Sequence, residues 1–236
     1  MAGGQNPATS TERGNQNRME RNYYIVLDTE TANGYMTDGK LDLTDSMTYD
    51  IGWAVIDKKG NVYEHRSFVV EEIFFGCPYL MQTAYYANKL PQYYAEIRNG
   101  SRLVKCLKAI QWYFKHDAEQ YNIKAVMMHN ARFDVRALNN TIRWLTNSRN
   151  RYFFPYGLEI WDTLKMSRDT ICKQKTYIAF CEKYGFMTAH ATPRPKATAE
   201  VLYRYITGNI DFIECHTGLE DVLIEKEIFV KCLRQH

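Results

Sequence analysis

The sequence predicts an α/β fold: a mixed five-stranded sheet, its first three strands antiparallel, flanked by helices. Three observations predict it. Two alternating runs, "YDIGWAVID" (49–57) and "VYEHRSFVV" (62–70), are joined by the turn-forming "KKGN" and read as a hairpin. Further along, short apolar runs of strand character alternate with stretches of helical periodicity. The length of 236 residues, with 45% hydrophobic and 24% charged side chains, suits a globular chain with a sizeable core.

Residues 1–20, "MAGGQNPATSTERGNQNRME", are polar and aperiodic, so a disordered tail is expected there and the domain is assigned to 21–236. The first strand is placed at 23–28, an apolar run that ends in Asp28. After the hairpin, residues 77–98 read as helical pieces broken at Pro91. In "SRLVKCLKAIQWYFKHDAEQYN" (101–122), Leu103, Leu107, Ile110 and Phe114 recur at helical spacing, which predicts a helix. "IKAVMMH" (123–129) is a short buried strand, followed by a helix from about 131 to 147. "LEIWDTL" (158–164) is the fifth strand. Several helices run on to the C-terminus, with "MTAHATPRPKA" (187–197) as the clearest loop between them.

Composition narrows the function. A net charge of +3 and a pI near 8.4 are compatible with nucleic-acid binding without arguing for it. There is neither an apolar run long enough for a membrane span nor an apolar N-terminal signal region. Cys77, Cys106, Cys172, Cys181, Cys215 and Cys232 lack the close pairing of a zinc site and are expected to be reduced thiols in a cytoplasmic protein.

Asp28 and Glu30 stand one residue apart after an apolar strand. Like charges this close repel and raise each other's pKa unless a cation sits between them; a solvated strand end is the alternative. Asn130 reads as a helix N-cap, which places Asp134 early in the helix, where an acid also complements the helix dipole. Thr217 and Glu220 form a T-x-x-E capping box, so Asp221 likewise sits four residues past its cap, with His216 in the preceding loop. Strand ends and the starts of following helices share one edge of such a sheet, so the four carboxylates can converge. Four oxygen-donor residues suit hard divalent ions such as magnesium or manganese.

Three segments, "DTET", "HNARFD" and "HTGLED", resemble the motifs of the DEDDh 3′–5′ exonucleases, which have the ribonuclease-H-like fold of the DNA polymerase III epsilon subunit. The resemblance runs from about residue 23 to the C-terminus in the family's motif order, and its overall look suggests a phage or prophage member. "WDTLKMSRD" (161–169) is also similar to a segment found between the last two motifs. One departure is visible: many relatives read D-x-E-T-T-G, whereas this chain has Thr31, Ala32 and Asn33, which bears on the loop beside the 3′ end.

The resemblance implies a metal-dependent exonuclease that hydrolyses single-stranded DNA from its 3′ end and releases nucleoside 5′-monophosphates, in the cytoplasm of a bacterium or phage-infected host. Asp28, Glu30, Asp134 and Asp221 would bind two divalent cations, Mg2+ or Mn2+, with Asp28 bridging them. Such paired ions lie about 3.5–4 Å apart. His216 would be the general base for the attacking water, a task suited by an unperturbed pKa of about 6.5. Thr31 would contact the terminal sugar, or be a plain turn residue. Phe133 would stack on the terminal base, or belong to the core. His129 and Asp162 match the family pattern and are read as structural. Arg132, Arg136, Arg143, Arg149 and Arg151, with Arg194 and Lys196, are basic residues of which some could track phosphates, and none is assigned to the site. The implied partners are nucleic-acid 3′ ends, DNA ahead of RNA, and a DNA polymerase if the enzyme proofreads. The same motifs also serve exoribonucleases. Alternatives from other classes are a nucleic-acid-binding or polymerase-associated module without turnover, and a metal-free acid–base enzyme.

Overall fold

The structure, a computed structural model, describes residues 22–32, 44–147, 149 and 151–235. The expected tail over 1–20 and Asn33 lie outside the described residues. The chain begins with β1 (Tyr23–Ala32), β2 (Met47–Asp57) and β3 (Val62–Val70), then α1 (Glu71–Phe74), α2 (Pro78–Met81) and α3 (Leu90–Asn99). β4 (Leu103–Lys105), α4 (Leu107–Gln120), β5 (Ile123–Met128), α5 (Ala131–Leu145) and β6 (Glu159–Asp162) follow. Four further α-helices follow among the described residues: α6 (Thr163–Asp169), α7 (Lys175–Tyr184), α8 (Ala199–Thr207) and α9 (Gly218–Leu233).

The strands form one mixed sheet in the order β4-β3-β2-β1-β5-β6, antiparallel across β3-β2-β1 and parallel elsewhere. This is the predicted α/β class with one strand more. The extra strand comes from the start of the segment read as a single helix. Leu103–Lys105 instead pair in parallel with Phe68–Val70 at the sheet edge, and the helix begins only at Leu107. Leu103, counted as the first residue of the apolar stripe, is 48% exposed, whereas Leu107, Ile110 and Phe114 are buried. Pro91 likewise starts α3 rather than breaking a helix, because a first-turn residue needs no N–H partner.

Each face of β1 meets a different helix. Ile25 and Leu27 share a core with Leu138 and Ile142 of α5, while Tyr24 and Val26 pack with Val222, Phe229 and Val230 of α9. α9 is also buried on its far side, where Ile224 and Ile228 meet Ile171, Tyr177 and Leu202. Each fully buried large apolar side chain contributes roughly 1.5–3 kcal/mol, so α9 is fixed between the sheet and the C-terminal helices. β2 is buried along almost its whole length, since helices cover both of its faces. Its Trp53 indole N–H donates to Asp117 of α4 at 3.0 Å, and Arg66 of β3 clamps the same carboxylate at 2.7 and 2.8 Å.

Parallel pairing of β1 with β5 ends at Val26–Met127. Beyond it, Leu27–Ala32 have β2 as their strand partner among the described residues. That overhang, the end of β5 and the start of α9 open onto one common edge.

Candidate active site

Asp28 and Glu30 lie within the overhang of β1, which continues to Ala32 rather than ending at Asp28 as the sequence predicts. By alternation they share the face of Tyr24 and Val26, toward α9. Their partners across the register are Gly52 and Asp50 of β2. Both partners decide how near α9 can come. A Cβ on Gly52 would stand 2.4 Å from Leu219 N and 2.5 Å from Gly218 C, and one on Gly218 would stand 2.9 Å from Gly52 N and 3.4 Å from Asp28 O. Two absent side chains therefore let the first turn of α9 rest directly on the sheet.

Asp50 anchors that turn. Its Oδ2 accepts the Gly218 N–H at 2.9 Å and the Tyr93 hydroxyl at 2.7 Å, and its Oδ1 pairs with Arg102 at 2.5 Å. Arg102 is 2% exposed and also reaches Glu96 at 2.8 Å. Thr217, the expected cap of α9, makes no capping bond to backbone, and its hydroxyl is spent on the Glu220 side chain. The helix is thus capped from β2 rather than by its own N-cap side chain. Asp221 then falls in its first turn and Glu225 one turn later, both buried.

The second motif is arranged differently from the sequence reading. Asn130 makes no side-chain cap; it takes the left-handed conformation at φ +73° and donates its N–H to Asp162 at 3.2 Å. Asp162 also accepts the Leu164 N–H at 3.0 Å, and His129 bridges Thr163 Oγ1 at 3.1 Å and Ala197 O at 2.8 Å, so both serve structure. Asp134, in the first turn of α5, is 1% exposed and accepts the Thr29 hydroxyl at 2.8 Å. Thr29 lines the cavity together with Asp28 and Glu30, so this bond holds Asp134 beside the acidic group. Its charge acts on Asp28, Glu30 and Glu225.

Asp28, Glu30, Asp221, Glu225, Glu214 and His216 line a cavity of about 570 Å³. Thr31 and the half-buried Phe133 also line it, opposite the core alternative for Phe133. Thr31 holds the Tyr85–Tyr86 segment through its carbonyl, which accepts the Tyr85 N–H at 3.1 Å. Burial holds the Asp28 carboxyl well above the usual range, and the neighbouring Glu225, Asp134, Asp221 and Glu30 push it the same way. Glu30 is raised by burial and then by Asp221, Asp50 and Asp134. Burial lifts Asp134 to about 7 and Asp221 to about 8. Glu214 reaches about 7 through burial and the Glu200 charge. The His216 imidazole is lowered, chiefly by burial, so it is neutral at neutral pH. Its ring stacks on Tyr86 at 4.1 Å and 7°, and its backbone sits in the left-handed region at φ +55°, which turns the loop into α9.

Glu30, His216 and Asp221 each offer a ligand atom within 4.8 Å of the others. Asp221 Oδ1 is buried and has no hydrogen-bond partner among the described residues, an arrangement that is costly unless something else satisfies it. The carboxylate oxygens of Glu30 and Asp221, one of them orphaned, fit a divalent cation, with the His216 imidazole alongside. The sequence reading missed Glu225, Glu214, Asp50, Gly52, Thr29 and Tyr86. Glu225 was reachable, since it lies one helical turn after Asp221.

No protein-family model matches the chain, and no curated protein sequence matches it. Solved structures match in fold. One described as a full-length 3′-exonuclease has a TM-score of 0.57 at 11% identity, covering 91% of this chain and 82% of its own. A zinc-bound complex of E. coli ExoI with single-stranded DNA scores 0.53 at 16% identity, and this chain spans 41% of its length. The nuclease domain of 3′hExo, described as a DEDDh family member bound to rAMP, scores 0.50 at 13% identity, covering 91% of this chain and 92% of its own. The fold is therefore that of 3′-exonuclease structures.

Proposed function

We propose that residues 21–236 form a divalent-cation-dependent 3′–5′ exonuclease domain acting on single-stranded DNA. One observation carries this reading: Glu30, His216 and Asp221 converge from a strand, a loop and a helix, with an orphaned carboxylate oxygen in the same cavity. Asp28, Glu30, Asp134 and Asp221 would hold two cations, Mg2+ or Mn2+, which when bound offset charge on the attacking and leaving oxygens of a phosphodiester. His216, neutral and stacked on the Tyr86 ring, would take the proton of the attacking water. Phe133 and Thr31 line the cavity, where a terminal base would stack on the first and its sugar would contact the second. The products would be nucleoside 5′-monophosphates. A cytoplasmic setting and service to a DNA polymerase belong to the same reading. An exoribonuclease is the second reading, favoured by the rAMP bound in one structural neighbour.

Single-stranded DNA and RNA of one sequence, labelled at either end and incubated with and without Mg2+, test this together. Expected is Mg2+-dependent loss of 3′ label as mononucleotide from DNA, faster than from RNA, and abolished in Asp28→Ala. Activity that survives a chelator, or persists in Asp28→Ala, would overturn the assignment.

A further inference from the structure

We propose that a second groove, continuous with the acidic cavity, binds the phosphodiester backbone of the strand whose 3′ end enters that cavity; this rests on the nuclease reading. The groove has a volume of about 540 Å³ and shares Arg168, Thr188 and Ala197 with the cavity wall. Arg168, Lys173, His190 and Arg194 line it, and among the described residues no carboxylate does. The cavity itself carries five carboxylates. A polyanion held by its end must leave such a place quickly, and an adjoining surface of opposite sign lowers the cost of its next phosphates.

The groove is built rather than draped. Its outer wall is the 187–197 loop, closed by a bridge between Met187 and Pro195, with the Thr188 N–H donating to Arg194 O at 2.8 Å. The Tyr177 hydroxyl holds Lys196 O at 2.6 Å, and His129 holds Ala197 O at 2.8 Å. The last contact ties the loop to the end of β5, so cations on the loop keep a fixed position relative to the acidic cavity. Lys173 is already paired with Asp169 at 2.9 Å, whereas the Arg168 and Arg194 side chains are exposed and form no ion pair among the described residues. Those two arginines are the phosphate contacts. A competing exit lies past Phe133, where Arg132 and Arg136 line a depression of about 290 Å³. It is smaller, and the depression beside it includes the Asp162 carboxylate.

The test uses fluorescent 12-mer oligonucleotides, deoxy and ribo, bound in chelator across a salt series so that nothing is cleaved. Each phosphate contact on a single strand contributes about −0.7 to the slope of log K against log salt. Arg168→Ala with Arg194→Ala should flatten the slope by about 1.4 and weaken binding at low salt, and Arg194→Glu alone should weaken it more than Arg194→Ala alone. Circular dichroism confirms that each variant is folded. An unchanged slope, or a change seen only with Arg132→Ala and Arg136→Ala, would overturn the proposal, as would wild-type protein that binds neither strand. Hydrolysis of a p-nitrophenyl ester of thymidine 5′-monophosphate by the wild type reads the chemistry separately. If that fails while the arginine variants still lose slope, the nuclease reading falls and the groove stands.

Discussion

Gly52→Ala tests how the acidic site is assembled. The new methyl would stand 2.4 Å from Leu219 N, 2.5 Å from Gly218 C and 2.7 Å from Leu219 Cα. Ordinary contact begins near 3.4 Å, so the first turn of α9 has to retreat by about 1 Å. All three clashing atoms are backbone, and no rotamer change relieves them. Overpacking of this kind costs about 1–3 kcal/mol. The Gly218 N–H bond to Asp50, now 2.9 Å, would stretch beyond hydrogen-bonding range at a further cost of roughly 1 kcal/mol. A chain of this size loses about 2–4 °C per kcal/mol, so melting should fall by roughly 5–15 °C. Asp221 retreats with the turn, and a misplacement of about 1 Å at a reacting centre costs on the order of 10²-fold in rate. Gly218→Ala should be milder, because its nearest contact is 2.9 Å. Melting curves and Mg2+-dependent hydrolysis of a labelled oligonucleotide read both effects. Gly52→Ala protein with wild-type melting and wild-type rate would refute the claim that this close approach sets the site.

Asp50→Ala strips the buried Arg102 of its shortest ion pair and α9 of its cap, and should destabilise by about 3–5 kcal/mol in a denaturant titration; a loss below about 1 kcal/mol would contradict the hub role. Metal-free stability should depend on pH with a definite sign. Asp134 and Asp221, at about 7 and 8 when folded, bind protons more tightly than in the unfolded chain, where such groups titrate near 3.9. Their stabilising contribution is complete below about pH 4 and is lost as pH rises toward 8, so the melting temperature in chelator should fall between pH 5 and 8 and Mn2+ should remove most of the fall. A flat or rising profile in chelator would contradict it. Glu225→Gln keeps an acceptor for the His129 N–H while removing a buried charge, and should melt above wild type without metal; lower melting would mean that the charge is used in the metal-free fold. His216→Ala should slow the chemical step by on the order of 10²–10⁴-fold while sparing Mn2+ affinity. A loss of affinity would make His216 a ligand instead of the base.

Much of this architecture can be read from local pattern. The hairpin of β2 and β3 follows from alternation and the "KKGN" turn, whose Gly60 takes φ +87°. The acids of the first and third motifs and His216 reach one cavity because parallel strand ends and helix starts share an edge. What stayed hidden depends on contacts far apart in the chain. Asp50 reads as one polar residue in an apolar strand, and only the arrival of Arg102, Tyr93 and Gly218 gives it a purpose. Leu103 fits the helical stripe, yet pairing with Phe68 wins, because an edge strand needs only a few residues. Asn130 has a capping side chain, but the turn out of β5 demands a left-handed residue, which Asn tolerates well. Asp134 has the motif's spacing, whereas its bond to the Thr29 hydroxyl depends on how α5 packs against β1.

Anomalous diffraction from a crystal soaked in Mn2+ tests most directly whether carboxylates brought together from β1 and α9 hold cations in this cavity. Manganese density between Glu30, Asp28 and Asp221, lost in crystals of Asp221→Asn, is the predicted result. A cavity without manganese at millimolar concentrations, in crystals of protein that still cleaves DNA, would contradict it.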